Sequence, residues 1–256
     1  MKSPLKDLTR DFNCLNLLKQ KMPAGSVIHS YLFYGGELEF GLSSDQRFVC
    51  AHTTKYVIYE FWNCVLKNPR HIYEIISAEA FSFENENMFA ILQEQWPYYK
   101  DPYVRSALFF LLNRYSDEGL ISTGKMEKNS LNPLCLATLR SFKAPNFHLQ
   151  HDSESDTLAN IKVATNADYI LLPVGSFNYN LFDHGKNQGF EMENINHKEL
   201  HAVLTTTLQD RKWALIYHYH PQVANLYQDY DLTLIDKHGR HTNSADNAKE
   251  IIIANF

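Results

Sequence analysis

The sequence predicts an α/β domain that carries a helical insertion. Short apolar runs rich in β-branched and aromatic residues, which are typical of buried strands, occur near both ends of the chain. The middle of the chain instead has apolar residues at helical spacing. We therefore predict one α/β domain from residues 1–70 and 158–256, with a helical insertion over residues 71–157.

Turn residues divide this pattern into separate elements. Pro23 and Gly25 end the first helix, and a Gly35-Gly36 turn separates the first strand from the next helix. A strand that enters a glycine turn before a helix lets the backbone approach a nucleotide-like ligand, although a plain strand-to-helix turn has the same pattern. The predicted helices cover residues 11–21, 56–66, 71–81, 84–96, 101–112, 197–208 and 223–230; the predicted strands cover 27–34, 47–51, 169–172, 212–217, 231–235 and 250–254; loops are predicted over 122–133 and 141–155.

The composition is that of a globular protein large enough to bury a sizeable core. Its 256 residues are 45% hydrophobic and 21% charged, and no apolar run approaches the ~18 residues of a membrane span. Residues 1–10 are polar and lack the apolar centre of a signal peptide. Four widely spaced cysteines without a CxxC pair predict reduced thiols in an intracellular protein. We therefore expect no membrane association and no zinc site.

Charge is distributed unevenly along the chain. Residues 1–70 carry a net charge of +3, whereas residues 71–157 carry −5 and residues 158–256 carry −3. A DNA-binding domain usually has a basic face, because Lys and Arg displace the counterions of the phosphates. The acidic middle segment therefore argues against DNA binding, although a basic face assembled in three dimensions would not show in this count.

Several motifs resemble those of Dam-type N6-adenine DNA methyltransferases. The stretch from Phe33 to Phe40 resembles the family's S-adenosylmethionine motif, Phe-x-Gly-x-Gly followed by a helix. Leu112-Asn113-Arg114 with Gly119 resembles its Leu-Asn-Arg segment, and residues 250–255 resemble its closing strand. The resemblance implies a Rossmann-like S-adenosylmethionine-dependent methyltransferase fold, in which the helical insertion is a target-recognition subdomain.

The resemblance also implies a cofactor site that is altered here. It assigns cofactor contacts to Phe33, Gly35, Gly36, Glu37 and His52. Glu37 stands where the family has its second glycine, and its carboxylate would crowd the methionine end of S-adenosylmethionine. His52 stands where the family has an acidic residue that holds the ribose hydroxyls, and an imidazole cannot chelate a diol as a carboxylate does.

The catalytic motif implied by the resemblance is changed as well. The family has Asp-Pro-Pro-Tyr where this chain has Leu172-Pro173-Val174-Gly175, after which we predict a loop. Leu172 cannot accept a hydrogen bond from the adenine amino group, and Gly175 cannot stack on a flipped base. Asp168 lies at the opposite end of the strand, about 13 Å away at ~3.3 Å per residue. Phe177 or Tyr179 would have to supply the stacking.

Basic and histidine residues provide weaker candidates. Arg114, Lys125 and Lys128 are the candidate phosphate contacts, and a solvated charged face is the alternative. The pairs His197/His201 and His218/His220 have spacings that suit a shared metal ion, but the sequence indicates no third ligand, and we predict no metal.

The sequence thus retains scaffold motifs while its four chemical motifs are altered, counting the family's missing N-terminal Pro-Gly-Gly-Lys. The leading hypothesis is a Dam-like homologue that has lost catalysis and acts as a binding, partner or structural protein. A protein partner or larger assembly is expected, in the cytoplasm of a host cell or in a phage particle, and the phage suggestion rests on the family alone. The alternative is an active adenine methyltransferase that uses S-adenosylmethionine, and a third is a DNA-binding module without cofactor.

Overall fold

The computed structural model describes residues 2–7, 10–78, 85–117, 119, 121, 124–127, 131–153, 156–163, 166–175, 177 and 195–256. The strands among them are β1 (Val27–Ser30), β2 (Phe48–Thr53), β3 (Phe147–His151), β4 (Tyr169–Gly175), β5 (Trp213–His218), β6 (Asp231–Asp236) and β7 (Ala248–Ala254). The helices are α1 (Leu15–Lys21), α2 (Glu37–Ser43), α3 (Tyr56–Lys67), α4 (Pro69–Ser77), α5 (Glu86–Gln95), α6 (Pro102–Tyr115), α7 (Pro133–Arg140), α8 (Thr157–Lys162), α9 (His197–Ala202) and α10 (Pro221–Leu226).

The seven strands form one mixed sheet, which confirms the predicted α/β class. The strand order is β3-β2-β1-β4-β5-β7-β6. The strands from β3 to β5 pair in parallel, and β7 runs antiparallel to both β5 and β6. Because strand order reverses beside β1, the chain leaves β1 toward one edge and later returns to its other side at β4.

Asparagine and aspartate side chains cap the N-termini of most of the helices. Asp101, for example, accepts hydrogen bonds from the backbone N–H groups of Tyr103 and Val104, and Pro102 occupies the first turn, where its missing N–H costs nothing. Side chains that accept a backbone hydrogen bond in the same way are Asn68, Asn85, Asn132, Asp156 and Asn196.

The two faces of the sheet are buried by different layers. Alternate strand residues, such as Ile28, Val49 and Leu171, pack with α1 and α2 on the first face. A larger cluster contains residues of the second face, such as Leu172, together with residues of α8 to α10. The same cluster also contains helices α3 to α7, where Phe61 of α3 stacks on Phe109 of α6 with ring centroids 4.8 Å apart. The predicted helices of the middle segment are therefore a packed layer rather than separate arms.

Strand β3 corrects the prediction of a loop over residues 141–155. It pairs in parallel with β2 at the edge of the sheet, so the sheet takes in residues 147–151 from within the range assigned to the insertion. Only Leu149 of this strand is buried, and its neighbours are polar. An edge strand with one buried side chain lacks the apolar pattern from which strands are predicted.

Strands β1 and β4 also differ from the prediction, because each ends at a residue other than the predicted one. β1 ends at Ser30 instead of residue 34, and β4 continues through Pro173 to Gly175 instead of ending at Leu172. The backbone of Leu171 faces β1, because its carbonyl accepts a hydrogen bond from the N–H of Tyr31. Pro173, two residues on, faces the same side, beyond the last β1 pairing. The missing proline N–H therefore breaks no ladder bond.

Replacement of Phe40 should test the core beneath α2. Phe40 is fully buried and its ring lies 4.8 Å from those of Trp62 and Phe147. We expect Phe40→Ala to lower the free energy of unfolding by about 3–5 kcal/mol, measured by urea denaturation. The control Phe48→Ala removes a ring that is 52% exposed and should cost about 0.5 kcal/mol. Equal losses in the two variants would contradict this packing.

Candidate functional site

The candidate site lies at the carboxyl ends of β1 and β4. In open α/β sheets, ligands bind beyond the carboxyl ends of strands at the point where the strand order reverses. That point lies between β1 and β4, which are neighbours in the sheet. The loop after β1 brings Gly35 and Gly36 to this edge, and Pro173 of β4 lines the same groove. The structure thus brings together four of the residues predicted from the sequence, because Glu37 lines this groove as well.

Gly36 is required by the packing of two aromatic rings behind the loop. Its φ of 77° is in the left-handed region, and it precedes the first residue of α2. A Cβ at this position would lie 2.5 Å from Phe40 and 2.7 Å from Phe33. Phe33 is fully buried in this packing, which makes it a support of the loop and gives it no surface for a cofactor.

The N-terminal segment, which we define as residues 2–7 and 10–12, fills this groove. The Asp7 carboxylate accepts a hydrogen bond of 3.2 Å from the N–H of Gly35. Arg10 donates from Nε to the carbonyl of Pro173 at 3.0 Å, and its guanidinium lies 3.9 Å from the Asp7 carboxylate. Both side chains are almost completely buried. The segment therefore connects the glycine loop to the end of β4.

Asn113 of the Leu-Asn-Arg motif holds the same segment from the helical layer. Its side-chain oxygen accepts a hydrogen bond from the N–H of Lys6 at 2.7 Å, and its amide donates to the Lys6 carbonyl at 2.8 Å. The amide also donates to the carbonyl of Gly119 at 2.7 Å. Asn113 is fully buried, so each of these bonds satisfies a polar group that has lost water. The motif here anchors the N-terminal segment.

Little space remains beside the glycine loop. The cavity lined by Asp7, Arg10, Gly35 and Glu37 has a volume of about 20 Å³. Burial, followed by the proximity of Asp11, raises the pKa of the Glu37 carboxyl above its ordinary value. A space of this size is comparable to that of one water molecule.

Glu39 is a fully buried carboxyl between α2 and β1. Its Oε1 accepts a hydrogen bond of 2.7 Å from the Ser30 hydroxyl. Burial raises the pKa of the Glu39 carboxyl, and the Ser30 hydrogen bond and the charge of Arg10 offset this only in part. The protonated form is therefore favoured in the folded protein more than in the unfolded chain.

The catalytic-motif residues lie within β4 and are completely buried. Leu172 lines a different cavity of about 220 Å³, together with Leu32 and residues of α8 and α9. Val174 is fully buried, and Gly175 has a φ of 86° at an irregularity in the pairing with β5. Among the described residues, none lines both this cavity and the groove at Gly35. Pro173 of the motif therefore lines the groove at Gly35, whereas its neighbour Leu172 lines the other cavity.

His52 lies on the second face of the sheet, away from the glycine loop. Its Nδ1 is 3.0 Å from an Asp152 carboxylate oxygen, and its Nε2 is 3.0 Å from Nδ1 of His29. Burial lowers the pKa of His52, but hydrogen bonds with Asp152 and Cys50 outweigh burial and raise the pKa to about 9. The predicted ribose contact thus belongs to a separate cluster, lining a cavity of about 300 Å³.

The candidate phosphate contacts are dispersed. Arg114 is half-buried at the end of α6, Lys125 is exposed, and Lys128 lies outside the described residues. Phe177 and Tyr179 are the residues predicted to stack on a base. Phe177 packs between the rings of His197 and His220, and Tyr179 lies outside the described residues.

The members of the two candidate histidine pairs contact different partners. His197 is hydrogen-bonded through Nδ1 to the Tyr217 hydroxyl at 3.0 Å, whereas His201 packs edge-on against Tyr227. His218 contacts Phe12, and His220 caps α10 by accepting a hydrogen bond from the N–H of Gln222. Within the described part of the chain, the one group with metal-ligand geometry is His29, Cys50 and His52.

Neither a scan of protein-family models nor a search of curated proteins gives a match to the chain. The four cysteines are free thiols, as predicted. In the part of the chain that the structure describes, no helix is both long and apolar enough to cross a bilayer.

Asp7 and Arg10 are the groove residues that the sequence did not reveal. They lie in a polar stretch without helical or strand periodicity, and their partners are 28 and 163 residues away. The sequence does contain one indication, because two opposite charges three residues apart suit a local ion pair, but it gives no information about where that pair docks.

Loss of the Arg10 contact should destabilise the protein. We expect Arg10→Met to lower the free energy of unfolding by about 1.5–3 kcal/mol, because it removes a charged hydrogen bond and leaves a buried carbonyl without its donor. Urea denaturation measures the change. The control Lys21→Met removes a more exposed ion pair with Asp231 and should cost about 0–1 kcal/mol. A loss for Arg10→Met no larger than that of the control would mean that the segment is not docked.

The Glu39 carboxyl should make stability fall as pH rises. Its pKa is raised by folding, so the folded state binds its proton more tightly and the free energy of unfolding decreases above the ordinary carboxyl range. Glu39→Gln keeps an acceptor for Ser30 and removes this decrease. Wild type and variant should therefore converge near about pH 4 and diverge in favour of the variant toward about pH 8 in urea denaturation.

Other carboxyls also titrate over this range, so the informative quantity is the difference between two proteins. Glu86→Gln, an exposed change on α5, is the matched control for an effect of net charge. A Glu39→Gln variant that loses stability relative to wild type at the upper end of the range would contradict the assigned sign.

Proposed function

We propose that this protein is a non-catalytic relative of the Dam-type DNA methyltransferases that acts by binding a protein partner or as part of a larger assembly. The observation that carries the proposal is the N-terminal segment, which occupies the groove where a cofactor would lie. Asp7 and Arg10 of that segment hold the glycine loop and β4 together.

The strand order supports a Rossmann-like scaffold. The sequence β3-β2-β1-β4-β5 within the sheet is the order found in doubly wound nucleotide-binding folds, and the glycine loop follows β1 as it does in those folds. The Phe-x-Gly motif, the Asn113 motif and the closing strand β7 lie in the order that the resemblance implies. Fold alone does not determine function, so the remaining argument concerns the groove and its residues.

The groove does not suit S-adenosylmethionine. Cofactor pockets have volumes of about 300–1,000 Å³, whereas about 20 Å³ remains here. The Gly35 N–H, which would be available to a bound carboxylate, already donates to Asp7. Entry of the cofactor would require displacement of both buried side chains, and the carbonyl of Pro173 would lose its hydrogen-bond donor. Glu37 would then add a carboxylate at the methionine end.

The groups needed for methyl transfer to adenine are also missing from β4. The adenine amino group needs an acceptor, and Leu172 offers only a buried apolar side chain. The carboxylate of Asp168 lies at the other end of β4 from Gly175, where it accepts a hydrogen bond of 2.8 Å from the N–H of Val27. Without an acceptor and a stacking ring, a flipped base would gain nothing to offset the cost of leaving the duplex.

Charge favours a protein partner over DNA. The segment that the resemblance assigns to target recognition has a net charge of −5 over residues 71–157. Phosphate-rich partners are bound by Lys and Arg that replace counterions, and an acidic surface repels them. The resemblance places such proteins in the cytoplasm of a host cell or in a phage particle, and either location is compatible with a binding role.

Calorimetric titration with S-adenosylmethionine tests the proposal directly. We expect no saturable heat up to millimolar cofactor, because the groove is filled by Asp7 and Arg10. A parallel assay with radiolabelled cofactor and adenine-containing DNA should show no transfer above the protein-free background. An active adenine methyltransferase in the same buffer is the positive control for both measurements.

Micromolar binding together with methyl transfer to adenine would overturn the proposal and establish the enzyme instead. The Asp7→Ala variant gives a further comparison, since it frees the Gly35 N–H without touching β4. We expect this variant also to transfer no methyl group, because the acceptor at Leu172 is still missing. Tight DNA binding that weakens steeply with salt would contradict the assignment of a protein partner.

A further inference from the structure

A group of potential metal ligands lies on the sheet face opposite α2. His29 of β1 pairs in register with Cys50 of β2, and His52 follows two residues later. Residues at alternate positions of a strand project from the same face, so all three side chains meet on the second face. Their ligand atoms lie within 4.8 Å of one another. From this geometry we propose that His29, Cys50 and His52 bind a zinc-class divalent metal ion, positioned by Asp152.

The separation of the two imidazole nitrogens is close to that in a tetrahedral metal centre. Zn–N bonds of about 2.0–2.1 Å at tetrahedral angles place two nitrogen ligands about 3.3 Å apart. Nε2 of His52 and Nδ1 of His29 are 3.0 Å apart and face each other. A small separation of the two rings would admit the ion. Two imidazoles and a thiolate form a donor set that zinc and the neighbouring late transition metals prefer over magnesium or calcium.

Asp152 provides the carboxylate that orients a histidine ligand of the proposed site. Its carboxylate is 3.0 Å from Nδ1 of His52 and also accepts a hydrogen bond of 3.2 Å from the Gln150 side chain. The backbone N–H of Asp152 donates to the carbonyl of Thr53 at 2.9 Å, which fixes it beside β2. A carboxylate that holds one ring nitrogen of histidine directs the other nitrogen to the metal. Asp152 is therefore a positioning residue.

The surroundings make the cluster rigid and leave one side open. The ring of Tyr31 stacks on His52 with centroids 4.3 Å apart, so the imidazole cannot turn freely. A cavity of about 300 Å³ borders His29 and His52 and extends to Asn160 of α8. Three protein ligands leave a fourth position, which would face this cavity and hold water. The site thus has the donor number of zinc centres that keep an exchangeable ligand.

Cobalt substitution tests the site in the intact 256-residue chain. Protein without a histidine tag, stripped with chelator and titrated with Zn²⁺ by calorimetry, should bind one ion per chain. Titration with Co²⁺ should produce the intense visible bands of a tetrahedral centre and a near-ultraviolet thiolate-to-cobalt charge-transfer band. Cys50→Ser should remove the charge-transfer band, whereas the matched control Cys135→Ser, a buried thiol on α7, should keep it.

The role of Asp152 has its own readout. Asp152→Asn should weaken Zn²⁺ affinity about 10- to 100-fold while the thiolate band is retained, because the ligands themselves are unchanged. X-ray absorption of the zinc-loaded wild type should show one sulfur and two imidazole nitrogen ligands, and this measurement does not depend on whether any variant folds.

Two results would overturn the proposal. One is the absence of stoichiometric Zn²⁺ binding to wild type, which would mean that the two rings share a proton instead of a metal ion. The other is a Co²⁺ spectrum unchanged in both Cys50→Ser and His29→Ala, with native circular dichroism in each, which would place the ion on other histidines of the chain. Neither result would bear on whether the glycine loop accepts S-adenosylmethionine.

Discussion

The structure depends on the parallel pairing of β1 with a strand on each side. Strands β2 and β4 lie on opposite sides of β1, so the chain connections that follow β1 and β4 run in opposite directions along the sheet. A groove therefore opens at the carboxyl end of β1, and the glycine loop lies in that groove. The same pairing sets His29 beside Cys50 on the second face. One strand of four residues therefore defines both the position where a ligand would be expected and the cluster that resembles a metal centre.

The N-terminal segment gives the groove a structural use. Its bonds to Gly35, Asn113 and Pro173 join the glycine loop, the helical layer and β4. A motif that resembles a recognition element and a motif that resembles a cofactor loop thus serve the same internal contact. Both motifs therefore have a packing role in this structure, and motif resemblance alone does not distinguish packing from ligand binding.

Much of the fold could be predicted from the sequence, because periodicity reports burial within one element. Helix α3 and strand β5 have clear patterns and were predicted nearly to their ends. Strand β3 was missed because it buries one side chain, and the continuation of β4 through Pro173 depends on where its neighbour β1 stops. The docking of Arg10 and the meeting of His29 with Cys50 were not predictable, since each depends on strand register and on contacts between distant segments.

The contacts of the N-terminal segment can form only late in synthesis. Arg10 and its partner Pro173 are 163 residues apart, and β6 is joined to the sheet through β7, which ends at Ala254. During synthesis β1 therefore emerges long before β4, with its apolar side chains and one row of backbone groups still unpaired. Such edges are sites of association with other chains. The same long-range pairing that defines the finished groove thus leaves one edge of β1 unpaired until β4 has been synthesised.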